Sequence, residues 1–224
     1  MIHRRDSTPD TLPLLLIWLS PAFPTGGYAY SHALEWAVER GDVTTEASTA
    51  AWLADVLEHG AGRTDAILLR HAHRARTVAA LSDIAELAAA AQPAAERRLE
   101  TLAQGTAFAL AAQVWGAPLL AALPGQVAYP VAVGALAAAH GVAECDVALG
   151  VLHAFASNLV AAAVKLVPLG QTAGLRILAG LAPLLTTIAQ DTRRATLDDL
   201  GSACFRSDIA SMRHETQYTR LFRT

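Results

Sequence analysis

Apolar positions along this chain recur every three or four residues, and no stretch shows a convincing alternation of period two. Leu12 to Leu19 is a short apolar run with Pro13 inside it. The cluster Ser20-Pro21-Ala22-Phe23-Pro24-Thr25-Gly26-Gly27 follows and is the strongest helix breaker. Ser31 then caps a helix running through Glu35 and Trp36 to Arg40, closed by Gly41. Further helices are predicted over Thr45 to His59, Thr64 to Thr77 and Ser82 to Ala91, and a long one opens after Pro93 toward Trp115. Pro118, Pro124 and Gly125 mark a loop, and Pro130 starts an Ala-rich helix that ends near His140-Gly141.

Glu144 to Lys165 reads as a long buried helix, broken at Pro168-Leu169-Gly170. Gln171 to Gln190 reads as another, with Pro183 as a kink or break. The last helix is expected from Ser207, as N-cap, to about Thr219, with Asp208 favourable in its first turn. No repeat or Gly/Ser linker divides the chain. The pattern therefore predicts one all-α domain over residues 1–224, an irregular bundle, with residues 1–11 flexible.

Composition sharpens this picture. The 53% hydrophobic content excludes wholesale disorder, and with only 6% aromatics the core must close through Leu, Val and Ala. A net charge of -3, with basic residues spread along the chain, argues against nucleic-acid binding through a general basic field. Cys145 and Cys204 stand alone without a CxxC, which points to a reducing cytoplasm. The start, Met1-Ile2-His3-Arg4-Arg5 before an apolar run, has a signal-peptide look, but Asp6, Asp10 and Pro13 interrupt it. Val147 to Val164 is charge-free and near the lower length for a membrane span. It carries His153, Ser157 and Asn158, which suits the central helix of a bundle better, so no membrane association is expected.

Enzyme signatures are missing: the sequence has no GxxxxGK[ST] phosphate loop, no HExxH, no GxSxG and no Rossmann glycine pattern. Eight histidines invite a metal reading, but His71 and His73 fall on nearly opposite helix faces and the others are scattered singly. His153, Ser157 and Asn158 either satisfy one another between helices or line a polar channel. The loop from Ser20 to Tyr30 mixes Phe23, Tyr28 and Tyr30 with glycines, and either packs on its own domain or offers a docking surface. The tail from Arg206 to Thr224 shows only Ile209 and Met212 as a clear apolar pair, too little to hold it on a core. It is dense in Arg213, Glu215, Gln217, Tyr218 and Arg220, so it is expected either to fray or to dock on another protein.

Three segments carry a family resemblance. Leu19 to Tyr28 (LSPAFPTGGY) with Tyr30 to Glu35 (YSHALE), Val164 to Gln171 (VKLVPLGQ), and Ser211 to Phe222 (SMRHETQYTRLF) resemble, in order, the N-terminal, central and C-terminal motifs of the urease accessory protein UreF family. Ala33 replaces a usual Gly, which implies that no positive φ is needed there, and Leu175 replaces a common Gln. The resemblance implies an all-helical homodimer that is not an enzyme and holds no cofactor of its own. It implies a complex with UreD (also called UreH) and the GTPase UreG, which together deliver nickel to apo-urease in a GTP-dependent way. The alternative is a metallochaperone that binds nickel directly. Partner contacts are implied for Phe23, Tyr28, Tyr30 and Glu35 in the first motif, and for Lys165, Pro168, Gly170 and Gln171 in the second. In the third they fall on Ser211, Arg213, His214, Glu215, Gln217, Tyr218 and Arg220.

Overall fold

In the computed structural model, residues 11–224 are described, and among them every regular element is a helix. The flexibility expected of the first residues concerns a segment outside the described ones, except Thr11, which is buried at the start of the first helix. The α-helices are α1 (Leu12–Trp18), α2 (Leu34–Glu39), α3 (Glu46–His59), α4 (Ala61–Arg74), α5 (Val78–Ala90) and α6 (Ala95–Ala111). Then follow α7 (Pro118–Ala121), α8 (Tyr129–Ala139), α9 (Glu144–Leu166), α10 (Gln171–Asp191) and α11 (Phe205–His214).

Most boundaries follow local chemistry. Thr45 caps α3 in a reciprocal pair with Ser48, and Thr77 caps α5, which therefore starts four residues before the expected Ser82. Gly41 adopts φ +78° and closes α2 as expected. Pro130 stands in the first turn of α8, where a missing N–H costs nothing. Pro183 does not break α10; the helix runs through it with the ring on the exposed side, as is Ala179, whose carbonyl loses its N–H partner.

Helix α9 is the axis of the domain, packed against α10, α4, α8, α3 and α2. It divides the core into two apolar clusters. One joins α1, α4 to α8 and the start of α9; the other joins α2, α3, α10 and the rest of α9. Residues 130–137 of α8 are all buried, and α8 runs so close to α4 that a Cβ at Gly134 would collide with the Leu69 carbonyl. Such Ala- and Gly-lined contacts close a core that has few aromatics. By length and composition α9 and α10 could each cross a membrane, but half of the α9 window is buried within the domain, with 39% for α10.

Candidate partner-docking site

The breaker loop after α1 turns its first aromatic inward. Phe23 lies 5.0 Å from Phe108 and 6.0 Å from Trp115, ring centre to ring centre, in the same cluster as Trp18. Tyr30 is buried too, while Tyr28 is 75% exposed, so of the three loop aromatics only Tyr28 is accessible. Beyond the loop His32 and Ala33 both take left-handed backbone, φ +57° and +61°. This corrects the expectation for Ala33: the chain makes the turn that glycine would make, and an alanine bears the strain.

That turn aims Ser31 and Glu35 at the far end of the sequence. The Ser31 N–H and hydroxyl both donate to the Thr224 carbonyl, at 2.8 and 2.7 Å, and the hydroxyl accepts from Glu35 N–H at 3.3 Å. Glu35 is buried, and its carboxylate accepts the N–H groups of Leu221 at 2.7 Å and Phe222 at 3.0 Å. It grips the tail and is out of a partner's direct reach.

The tail also departs from expectation. Helix α11 starts at Phe205 and ends at His214, and Ser207 is a buried residue of its first turn with no capping bond. Ser207, Ala210, Ser211 and His214 form the inner face, small or polar groups that let α11 lie on α2 and α6. The apolar side chains Phe205, Ile209 and Met212 point outward, 69%, 55% and 50% exposed. Self-burial is thus substantial, but polar: the amphipathic pattern is inverted relative to a core-facing helix. Arg206 anchors the helix start, paired with Asp42 at 2.9 Å and lying over the Trp52 ring.

Past α11 the chain crosses α6. His214, wholly buried, lies between Glu96 (2.7 Å) and Glu35 (3.3 Å), and Arg220 reaches the other oxygen of Glu96 at 2.8 Å. Glu215 accepts Ala95 N–H and so caps α6, where a carboxylate is favoured. Gln217, also buried, donates to Glu39. Thr224 donates its hydroxyl to Glu100 at 2.6 Å, and Glu100 in turn pairs with buried Arg97. Burial would raise the Glu100 carboxyl, but Arg97, His32 and Thr224 outweigh it and hold it down at about 2. Burial and the nearby Arg97 hold His32 down at about 4, and burial lifts the partly buried Asp65 to about 7.

Lys165 closes the arrangement. It is exposed at the last turn of α9, with Nζ 5.6 Å from the centre of the buried Phe222 ring. Pro168, Gly170 and Gln171 are exposed just beyond it. The chain beside the first and third motifs meets again where Arg223 N–H donates to Ala29 O, next to Tyr28. Three segments distant in sequence therefore meet at the tail. Of the residues expected to touch partners, Tyr28, Lys165, Pro168, Gly170, Gln171, Arg213, Glu215, Tyr218 and Arg220 are exposed. Phe23, Tyr30, Glu35, Ser211, His214 and Gln217 are buried and support them. Glu96, Arg97 and Glu100 carry no motif signal, and only their inward placement on α6 reveals them.

A matching family model, UreF, covers residues 43–182. The chain belongs to the UreF family. It is 53% identical to the urease accessory protein UreF of Xanthobacter autotrophicus strain Py2 over 98% of this chain and 93% of that relative. Identity to the UreF of Methylobacterium sp. strain 4-46 is 53% over 94% and 88% of the two chains, and to that of Azorhizobium caulinodans 51% over the full length of both. Family membership gives the protein a role in urease maturation as an accessory protein, alongside other maturation components.

Most histidines outside the tail have simple partners. His71, His73 and His140 each face a backbone carbonyl, of Ala195, Val142 and Gly116 respectively. His153 is exposed with Ser157 at 3.5 Å, while Asn158 donates to Tyr30 O. No group of three or more His, Cys, Asp or Glu side chains is positioned to hold a metal among the described residues. Cys145 and Cys204 are both free thiols.

Proposed function

We propose that the protein is a scaffold in urease maturation, docking UreD through the outer face of α11 and the tail, and engaging the GTPase UreG near Lys165. In this reading the assembled complex supports GTP-dependent delivery of nickel to apo-urease, and the protein works as a homodimer with no catalytic centre or resident cofactor. Nickel is the cargo, and GTP and its magnesium belong to UreG. The observation that carries the reading is the inverted α11. A helix that buries serines and a histidine while exposing Phe205, Ile209 and Met212 has its apolar side turned toward something other than its own core. Lys165 stands against the Phe222 ring, which couples the two docking regions mechanically.

The test is a chain carrying Phe205→Ser, Ile209→Ser and Met212→Ser. These side chains are exposed, so the thermal melt is expected to stay within a few degrees of wild type. Co-purification with UreD, and with it urease activation, is expected to be lost. Retention of the complex with full activation would overturn the reading. The alternative, direct nickel binding, predicts tight stoichiometric uptake of nickel by the isolated chain in equilibrium dialysis.

A further inference from the structure

The outward side of α11 carries charges as well as apolar side chains, and the two are sorted. At about 100° per residue, Phe205, Ile209 and Met212 fall in one stripe, opposite the buried Ser207, Ala210, Ser211 and His214. Arg206 and Arg213, about two turns apart, lie along one edge of that stripe. Asp208 and Glu215, with the same spacing, lie along the other. Glu215 belongs to the pattern because its backbone is still helical, with φ −51° and ψ −32°. An exposed apolar seam with one basic and one acidic margin is how a helix fixes its direction against another element.

The helix dipole does not account for this sorting. It favours Asp208 in the first turn and Arg213 in the last, but Arg206 and Glu215 stand at the ends where it disfavours them. The charges are arranged by edge and not by end. Two of them are already answered within the chain. Arg206 pairs with Asp42 at 2.9 Å, and Glu215 accepts the Ala95 N–H at 3.2 Å. The guanidinium of exposed Arg213 and the carboxylate of half-buried Asp208 have no hydrogen-bond or ion-pair partner among the described residues. One unanswered charge of each sign therefore stands on each side of the apolar stripe.

We propose that the surface receiving α11 is a groove with an apolar floor and walls of opposite charge, a carboxylate facing Arg213 and a cation facing Asp208. This rests on the docking of UreD through α11 put forward above, and adds the chemistry of the surface that UreD brings. Turned end for end, the helix would set Arg213 against the basic wall and Asp208 against the acidic one. Like charges facing each other beside an apolar contact exclude that direction. The stripe holds the helix in the groove, and Arg213 and Asp208 select which way it lies.

Pull-down titration of the full chain against UreD, across a sodium chloride series, compares wild type with Arg213→Glu, Asp208→Lys and the two combined. Each single reversal is expected to weaken the complex at least about tenfold, a loss that shrinks as salt screens the repulsion. The double reversal restores the net charge of the chain. A general electrostatic attraction then predicts recovery, whereas walls of opposite sign predict a loss larger than either single one. Thermal melts of the variants alone are expected to stay within a few degrees of wild type. Arg213→Gln and Asp208→Asn, which remove charge without reversing it, keep the comparison if a reversal lowers the melt. Recovery in the double variant, or unchanged binding in either single one, would overturn the charged walls. Should the Phe205, Ile209 and Met212 serine variant lose UreD while both reversals keep it, the walls fail and the docking stands. If all of them keep UreD, the docking itself fails.

Discussion

Lys165 Nζ lies 5.6 Å over the ring of Phe222, joining the end of the central helix to the last turn of the tail. The cation is exposed and the ring buried, so the contact contributes about 0.5–1 kcal/mol. Lys165→Ala is expected to lower tail protection and to alter GTP use by UreG. Lys165→Arg keeps a cation over the ring and leaves the melt unchanged, but presents a planar fork where a compact ammonium stood. Reduced nickel content in urease matured with Lys165→Arg is the expected result; normal maturation would reduce Lys165 to a ring partner and helix-end charge.

Deleting residues 206–224 is not a neutral truncation. It removes His214, Arg220 and Thr224 from Glu35, Glu96 and Glu100, leaving buried carboxylates short of partners. Glu35→Gln isolates one part of this effect: two backbone donors and His214 lose an ionised acceptor. The expected cost is about 3 kcal/mol, as for breaking a buried charge pair, read from urea denaturation. A loss below about 1 kcal/mol would show that the tail is held mainly by Phe222.

Ala33→Gly is expected to stabilise the chain. A left-handed alanine is strained by about 1–2 kcal/mol, part of which glycine returns as extra freedom of the unfolded chain. A net gain of roughly 0.5–1 kcal/mol should appear as a higher denaturation midpoint with an unchanged slope. No gain would mean that surrounding contacts had already absorbed the strain.

The polar interior sets a pH profile with opposing parts. His32, held at about 4 when folded, stays neutral while the unfolded chain protonates, so it costs stability as pH falls from 6.5 to 4. Asp65, raised to about 7, binds its proton in the folded state first, so it gains stability as pH falls from 7 toward 3.8. Between pH 6.5 and 4.5 the two slopes cancel. Below that, Glu100, held at about 2, loses its contribution as pH falls through its folded value. Asp65→Asn removes the gain and exposes the His32 slope. Denaturant titrations should then show about 2 kcal/mol lost between pH 6.5 and 5, against little change from this pair in wild type.

The sequence by itself determined the helical class and most of the longer helices, because period and capping are local properties. It placed no helix at α1, read Pro118 as loop where α7 begins, and ran the last helix on to about Thr219, past its end at His214. Thr45, Gly41 and Pro130 act within one turn of their own backbone. It also determined the family, since the three motifs are short and stand in order. What it could not fix was which way a weakly amphipathic segment faces. Ile209 and Met212 read as too small an apolar pair to hold the tail on a core, and both are exposed. What the pattern did not show is that Ser207, Ser211 and His214 face inward, where α2 and α6 offer carboxylates that an apolar side chain would leave unpaired. Glu96 and Glu100 gave no sign of their role, since a charge gains that role from a partner more than a hundred residues away. Ala33 was misread for a related reason: its left-handed turn lies between Ser31, which holds Thr224, and Glu35, which holds Leu221 and Phe222, a tertiary setting that the local preference of alanine does not reveal. Local chemistry made the helices, and only the tertiary packing of charges decided how the three motifs became one surface.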